Sequence, residues 1–328
     1  MRKVLLVSFA AAAVGVVLSA DGALAQAWPA RPVRLVVPFG AGGNTDVLAR
    51  FIAARFGDVF KQQFIVENRP GAAGIIGAEL VAHAPADGYT LLLASQPQIV
   101  IAPAMRKTSY DPAHDFVPIS KIATIPFALV VRPGLPVKSL ADFIDFVRRH
   151  PRQLTYAVTG FGSVNHFTML LLLKRAGLEM TPVSYKGGPD ALADLLADRV
   201  DAYFAGVSVV MTHLEAHGLR ALAITSDHRF WGLPQVPTLA ESGYPDLKIL
   251  LWEGVVAPSG VPTDVVDRIA AEADRMARDT AFAKQLARIV IAPVGSTPKE
   301  FAASIAADLI FWRDAVRITG MGNALEKR

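Results

Sequence analysis

Short apolar runs alternate with amphipathic stretches along most of the chain. Residues 33–38 and 89–94 are almost wholly apolar and have the length of buried strands. Residues 140–149 instead place apolar side chains at positions 140, 143, 144 and 147, which is the period of a helix with one buried face. Alternation of this kind along a chain is typical of a parallel α/β sheet.

The same pattern divides the chain into two successive α/β units and a helical tail. The predicted strands are 33–38, 64–67, 89–94, 128–132, 155–158, 183–185, 202–205, 221–225 and 254–257. The predicted helices are 45–60, 75–84, 140–149, 165–176, 189–197, 263–278, 280–289 and 298–318. We expect the chain to cross between two lobes near 129–131 and 254–256. This places residues 26–127 plus 254–328 in lobe 1 and residues 128–253 in lobe 2.

The first 25 residues have the pattern of a secretory signal peptide. Arg2 and Lys3 precede an apolar run at 4–18, and Ala23-Leu24-Ala25 is a small-x-small cleavage site. An uncleaved anchor is the weaker alternative, because a membrane helix needs about 20 apolar residues. We expect export and cleavage after Ala25, which leaves 303 residues (328 minus 25). That length suits two lobes better than one core.

Composition excludes several kinds of chemistry. The chain contains no Cys, which excludes disulfides, thiol catalysis, cysteine-ligated metals and a lipoprotein anchor. The net charge of +4 falls to +3 without residues 1–25, because Arg2, Lys3 and Asp21 together contribute +1. A small positive charge suits an anionic solute. No basic run typical of nucleic-acid binding occurs, so we expect no nucleic-acid partner.

A glycine-rich loop joins the first predicted strand to the first predicted helix. It reads Pro38-Phe39-Gly40-Ala41-Gly42-Gly43-Asn44-Thr45-Asp46. Glycines let the backbone N–H groups approach a ligand closely, and a helix start adds unpaired N–H donors and the positive end of the helix dipole. An anion is therefore the expected guest. The alternative is a tight turn with Thr45 or Asp46 as an ordinary helix N-cap, and this motif alone favours neither reading.

Two later loops repeat this design. One reads Thr159-Gly160-Phe161-Gly162-Ser163-Val164-Asn165-His166, and the other reads Tyr185-Lys186-Gly187-Gly188-Pro189. Because ligands of open parallel sheets bind beyond the carboxyl ends of the strands, such loops in two units predict a cleft lined with backbone donors. The repetition favours the ligand-binding interpretation. His166 is either a donor to the ligand or a helix cap, and its position favours the donor.

Enzymatic motifs are absent from the sequence. There is no P-loop and no G-x-S-x-G, and residues 160–165 miss the dinucleotide pattern because Asn165 replaces its third glycine. The letters at 296–299 match S-x-x-K, but Thr297 with Glu300 predicts a helix capping box there. His213 and His217 have no evident third metal ligand. We therefore expect no catalytic residues, no metal and no cofactor.

Several strings together resemble one family. They are Trp28-Pro29, Pro32-Val33-Arg34-Leu35-Val36-Val37-Pro38-Phe39, Gly42-Gly43-Asn44-Thr45-Asp46, Val66-Glu67-Asn68-Arg69-Pro70-Gly71-Ala72-Ala73-Gly74, Ala86-Asp87-Gly88-Tyr89-Thr90-Leu91, Tyr185-Lys186-Gly187, Val236-Pro237-Thr238-Leu239-Ala240-Glu241-Ser242-Gly243-Tyr244 and Ala257-Pro258-Ser259-Gly260-Val261-Pro262. With them the chain resembles the solute-binding proteins of tripartite tricarboxylate transporters, which include the Bordetella uptake receptors. The match spans nearly the whole chain after residue 25.

The resemblance implies an α/β fold of the two-lobe periplasmic-binding-protein type (Venus flytrap, type II). It implies a monomer that captures a small carboxylate between its lobes, with ordered water assisting, and delivers it to membrane permease subunits of a tripartite transporter. The ligand-binding residues that we predict are Phe39, Gly40, Ala41, Gly42, Gly43, Thr45, Asp46, Ser95, Thr159, Gly160, Phe161, Ser163, His166 and Phe204.

The chain departs from the family at two places. Gly40-Ala41 precedes the paired glycines where many relatives carry proline, and Ala202-Tyr203-Phe204-Ala205 is bulkier than is common. Both departures leave the identity of the acid open. Phe39, Phe161 and Phe204 could wall a pocket or belong to the core. Two other functions stay open at this stage, a ligand-sensing receptor for a signalling partner and a secreted α/β hydrolase.

Overall fold

A computed structural model of the protein describes residues 28–322, so the predicted signal peptide at 1–25 lies outside the described residues. The first α/β unit contains β1 (Val33–Val37), α1 (Asn44–Phe60), β2 (Phe64–Asn68), α2 (Ile75–Ala82) and β3 (Thr90–Ser95). A π-helical turn (Pro97–Ile101) then leads into α3 (Ala102–Met105). β1 is the central strand and pairs in parallel with β2 and β3.

The second α/β unit follows a long strand, β4 (Phe116–Val131). It contains α4 (Leu140–Arg149), β5 (Thr155–Val158), α5 (Val164–Ala176), β6 (Thr181–Ser184), α6 (Gly188–Leu196), β7 (Ala202–Gly206), α7 (Val207–Glu215) and β8 (Arg220–Ile224). β5 pairs in parallel with β6 and β7. The carboxyl ends of these three strands therefore lie at one edge of their sheet.

The chain returns through β9 (Leu250–Pro258), α8 (Thr263–Ala277), α9 (Thr280–Arg288), β10 (Ala292–Pro293) and α10 (Pro298–Thr319). The predicted capping box begins α10: the Glu300 N–H donates to the Thr297 hydroxyl (3.2 Å), and the Thr297 N–H donates to the Glu300 carboxylate (2.8 Å). α10 packs on β4, on the π-helical turn and on α5, so it contacts both units. Between residues 28 and 322, no helix is both long and apolar enough to span a membrane.

β4 joins the two units into one continuous sheet, ordered β2-β1-β3-β9-β4-β7-β5-β6, with β8 and β10 also on β4. From Phe116 to Pro126 it runs antiparallel to β9, and from Phe127 to Val131 it pairs with β7 and β8. The sequence predicted a strand only at 128–132. Two register shifts, beside Pro118 and beside Lys121, let the strand accommodate residues that break the apolar pattern.

Besides the four-residue α3, the sequence missed one full-length helix, α7. Its first turn contains Val207, Val209 and Val210, and β-branched residues favour strands over helices. In α1 the spacing of apolar residues predicted the buried face of the helix correctly. In α1, Leu48, Ile52 and Phe56 recur every four residues and are fully buried on the same face of the helix, against β1 and β3.

Candidate functional site

The first loop, residues 38–43, is held in shape by the carboxylate of Asp46. Gly42 has φ +83°, and its N–H donates to Asp46 Oδ2 at 2.9 Å. The same buried carboxylate accepts two bonds from Arg50 (3.0 and 3.1 Å) and one from Asn68 (3.0 Å). Asn68 also donates to the carbonyl of Phe39 at 3.1 Å. The bend of the loop is therefore fixed before any ligand arrives.

Asp46 is charged and satisfied within the protein. Burial by itself raises the pKa of Asp46, but the bonds from Arg50, Gly42 and Asn68 outweigh it and leave the pKa below its ordinary value. α1 begins at Asn44 with Gly43 as its N-cap, and no side chain in the described part of the chain caps it. The alternative reading, with Thr45 or Asp46 as the N-cap, is therefore wrong. The first-turn N–H groups of α1 have no side-chain cap.

The second loop, residues 159–163, repeats this arrangement in the other unit. Gly162 has φ +84°, and its N–H donates to Nδ1 of His166 at 3.0 Å. His166 is 2% exposed, and burial lowers its pKa to about 4, so the ring is neutral and Nδ1 is free to accept. The Ser163 hydroxyl turns back to the Gly160 carbonyl (2.7 Å) and also bonds the Asn165 side chain.

The two loops share one geometry. Asp46 and His166 each occupy the third position of their helix, and each accepts the N–H of a left-handed glycine four residues earlier. Neither α1 nor α5 has a side-chain cap, whereas Ser139, Asp279 and Thr297 cap α4, α9 and α10. Both junctions therefore present the free N–H donors and positive dipole end that bind negative oxygen.

Direct contacts join the two units beside these junctions. Asn44, at the start of α1, donates through Nδ2 to the Ser208 hydroxyl of α7 at 2.7 Å. Met105, at the end of α3, lies so close to Gly162 that a Cβ there would sit 2.6 Å from the methionine methyl carbon. The loops of the two units thus face the same space.

A cavity of about 350 Å³ lies between the loops. Five predicted ligand-binding residues line it: Phe39, Thr159, Gly160, Phe161 and Ser163. The remaining walls are Ala73, Pro97, Ile101, Ala102, Met105, Arg106 and Gly162. The volume falls in the range of small-ligand pockets.

A buried glutamate lies beneath the start of α1. Thr45 donates through its hydroxyl to Oε1 of Glu253 at 2.5 Å, and the other carboxyl oxygen has no hydrogen-bond partner among residues 28–322. Glu253 is 1% exposed, on β9, directly opposite Ser95 of β3. Burial raises its pKa to about 7, although the bond from Thr45 acts in the opposite direction.

Four predicted residues lie apart from the open space. Ser95 is buried, and its hydroxyl pairs with the side chain of Gln98 (3.1 Å). Phe204 is fully buried in the core of the second unit. Asp46 and His166 act on the backbone of their own loops. Whether any of the fourteen residues touches a ligand stays a prediction.

The third glycine loop starts another helix without a side-chain cap. Gly187 is the N-cap of α6, and Tyr185 bonds through its hydroxyl to Asp194 (3.0 Å) rather than reaching the cavity.

His213 lies on α7, but His217 lies beyond its end with φ +55°, so the two do not share a helical face. In the described part of the chain, no three His, Asp or Glu side chains are close enough to hold a metal ion.

Sequence reasoning missed Met105, Arg106, Ser208 and Glu253 as site residues. One signal was available for Glu253, because it is the only charged residue in the apolar run 249–258. A lone acid in a buried strand usually has a specific partner or function. Ser208 carried no such signal, since it is a single polar residue between two valines, in a helix that the sequence did not predict.

Comparison with known proteins places the chain in one family. The model of the tripartite tricarboxylate transporter family receptor matches residues 48–320. Protein BugT of Bordetella pertussis (strain Tohama I) is 35% identical over 315 residues, covering 94% of this chain and 97% of its own. A protein of Pseudomonas sp. (strain P51), encoded between tcbD and tcbE, is 36% identical over 292 residues, covering 89% of this chain and 87% of its own.

Solved structures support the same family membership. R. palustris Rpa4515 with adipate superposes with a TM-score of 0.80 at 37% identity, covering 89% of this chain and 98% of that one. MatC from Rhodopseudomonas palustris with bound malate gives a TM-score of 0.77 at 31% identity, covering 88% and 100%. The resemblance, the two-lobe α/β fold and the solute-binding role predicted from sequence are confirmed, and the protein is a receptor rather than an enzyme. The chain belongs to the tripartite tricarboxylate transporter receptor family of periplasmic solute-binding proteins.

Proposed function

We propose that this protein binds a small carboxylate between the loops 38–43 and 159–163 and delivers it to the permease subunits of a tripartite transporter. The observation that carries the proposal is the matched pair of glycine loops. In each, an internal acceptor fixes the bend while the first-turn N–H groups of the following helix have no side-chain cap. Relatives support the choice of ligand, since one structure contains adipate and another malate.

The expected affinity follows from the number of donors. A hydrogen bond to a charged group contributes about 1.5–3 kcal/mol, so four or five such bonds contribute roughly 10 kcal/mol. Part of this offsets the lost freedom of the ligand and of the two lobes. A net free energy of about 8 kcal/mol corresponds to a Kd near 1 µM.

We propose that the two lobes comprise residues 26–127 plus 254–328 and residues 128–253. The change of partner along β4, from β9 to β7 and β8 between Pro126 and Phe127, supports a crossing there. A ligand that contacts both loops favours the closed arrangement, because it gains its full set of bonds only when the lobes meet. The proposal includes cleavage after Ala25 and a monomeric receptor.

Isothermal titration calorimetry on the protein lacking residues 1–25 tests the function. The panel contains mono-, di- and aromatic carboxylates, with glucose and spermidine as uncharged and cationic comparators. We expect micromolar binding of at least one acid. Tight binding of glucose or spermidine, with no acid bound, would overturn the proposal. Uptake of the bound acid by a deletion strain, compared with its parent, tests delivery to the transporter.

A glycine variant links binding to the loops. Gly162→Ala places a side chain at φ +84° and against Met105, so we expect acid affinity to fall at least tenfold. Gly243→Ala is the matched control, since Gly243 has φ +96° and an added Cβ meets nothing within 4 Å. Equal affinity in the two variants would show that the second loop does not hold the ligand.

A further inference from the structure

The cavity between the loops has mostly apolar walls with a single charged residue among residues 28–322. We infer, resting on the proposed function, that the ligand is an unsubstituted aliphatic dicarboxylate rather than a hydroxylated acid. One carboxylate binds at the paired loops, the methylene chain fills the apolar cavity, and the second carboxylate meets Arg106.

The cavity walls are predominantly carbon. Apolar side chains from both units meet there: Phe39, Ala73, Pro97, Ile101, Ala102, Met105 and Phe161. Met105 closes the space between the units, since it packs directly on Gly162. A chain of methylenes bound here is transferred out of water and contacts apolar side chains on several sides.

The hydroxyl groups in the walls are already engaged. Thr159 donates to the Asn165 side-chain oxygen at 3.3 Å, and Ser163 donates to the Gly160 carbonyl at 2.7 Å. A hydroxyl on the ligand chain could donate to these two oxygens but would receive no hydrogen bond from them, so it would recover only part of what it loses on leaving water. The site discriminates against hydroxylated acids for that reason.

Among the described residues, Arg106 is the single charged one in the cavity walls. It is exposed, follows the last residue of α3, and forms no ion pair with any side chain from residues 28–322. Its guanidinium makes one long hydrogen bond, of 3.5 Å, to the carbonyl of Ala72, beside the cavity wall. An arginine without a carboxylate partner in the wall of an apolar space is suited to a distal carboxylate.

Three pairs of acids that differ by one kind of group test the inference by calorimetry. Adipate has two more methylenes than succinate and should bind about fifteenfold tighter, at roughly fourfold per methylene. Malate is succinate with one hydroxyl and should bind at least about fivefold weaker than succinate. Hexanoate lacks the second carboxylate of adipate and should bind more weakly than adipate.

A variant assigns the distal carboxylate to Arg106. In Arg106→Gln we expect adipate affinity to fall about fivefold while hexanoate affinity is unchanged. Lys107→Gln removes the same charge one residue further on, outside the cavity walls, and should leave both affinities unchanged. Tighter binding of malate than succinate, or equal losses for adipate and hexanoate in Arg106→Gln, would overturn the inference while leaving carboxylate binding intact. If no carboxylate binds at all, the proposed function fails as well.

Discussion

Replacing Glu253 by glutamine should change how the stability of this protein depends on pH. Glu253 lies on β9, and neighbouring residues on that strand face the other way, because Trp252 bonds to Asp308 of α10 (2.6 Å) and Gly254 packs on Phe301. The Glu253 carboxyl instead faces α1, where the Thr45 hydroxyl is its hydrogen-bond donor. Glutamine keeps the shape of this side chain and cannot ionise.

The magnitude follows from the pKa. An ordinary glutamate loses its proton near pH 4.5, whereas burial raises the pKa of Glu253 to about 7. Between these values the folded protein binds more protons than the unfolded chain, so its free energy of unfolding falls as pH rises. The stabilising contribution is complete below pH 4.5 and is lost as pH rises through about 7. At 1.36 kcal/mol per pKa unit, the loss is about 3 kcal/mol.

Urea unfolding of the wild type and of Glu253→Gln at pH 5, 6, 7 and 8 measures the effect. The two proteins should have similar stability at pH 5, and the variant should be more stable by up to about 3 kcal/mol at pH 8. Wild type and variant are compared at each pH because His166 also titrates. Its pKa is lowered to about 4, so it makes both proteins less stable as pH falls from 6.5. Glu215→Gln, an exposed change of equal charge, is the control. A constant difference between wild type and variant across this range would refute the reasoning.

Three further results are expected. Asp46→Ala should lower the free energy of unfolding, measured in urea, by about 3 kcal/mol, because it leaves the Gly42 N–H and Asn68 without their shared acceptor. It should also weaken acid binding, and unchanged affinity would show that binding does not need the Asp46 carboxylate. Asn44→Ala removes the bond to Ser208 between the units, so calorimetry should show affinity lower by about fivefold and small-angle scattering a more open unliganded form. Thr297→Ala removes the α10 cap and should cost about 1 kcal/mol of stability with acid affinity unchanged, and a change in affinity would contradict its purely structural role.

Features that depend on neighbouring residues could be read from the sequence. The recurrence of Leu48, Ile52 and Phe56 every four residues predicts the buried face of α1, because helical geometry places such residues together whatever the rest of the chain does. Thr297 and Glu300 predict the start of α10 for the same reason. The glycine loops at 38–43 and 159–163 were also visible, since they stand between an apolar run and an amphipathic one.

Features that depend on residues far apart in the chain could not be read in this way. β4 is 16 residues long because β9 pairs with one part of it and β7 and β8 with the other. α7 forms despite a β-branched first turn because tertiary packing outweighs local preference. The roles of Asp46 and His166 as internal acceptors appeared only once the backbone of each loop had a defined bend.

The sequence by itself determined the order of most elements, the two glycine loops and the family, because these rest on local periodicity and on short motifs. Only the tertiary structure decided that Thr45 bonds Glu253 across 208 positions of sequence and that Asn44 bonds Ser208 across 164. It also decided that Arg106 lies in the wall of a mostly apolar cavity. Such pairings depend on how the two units close on each other, which is set by the packing of the whole sheet rather than by any segment of the chain.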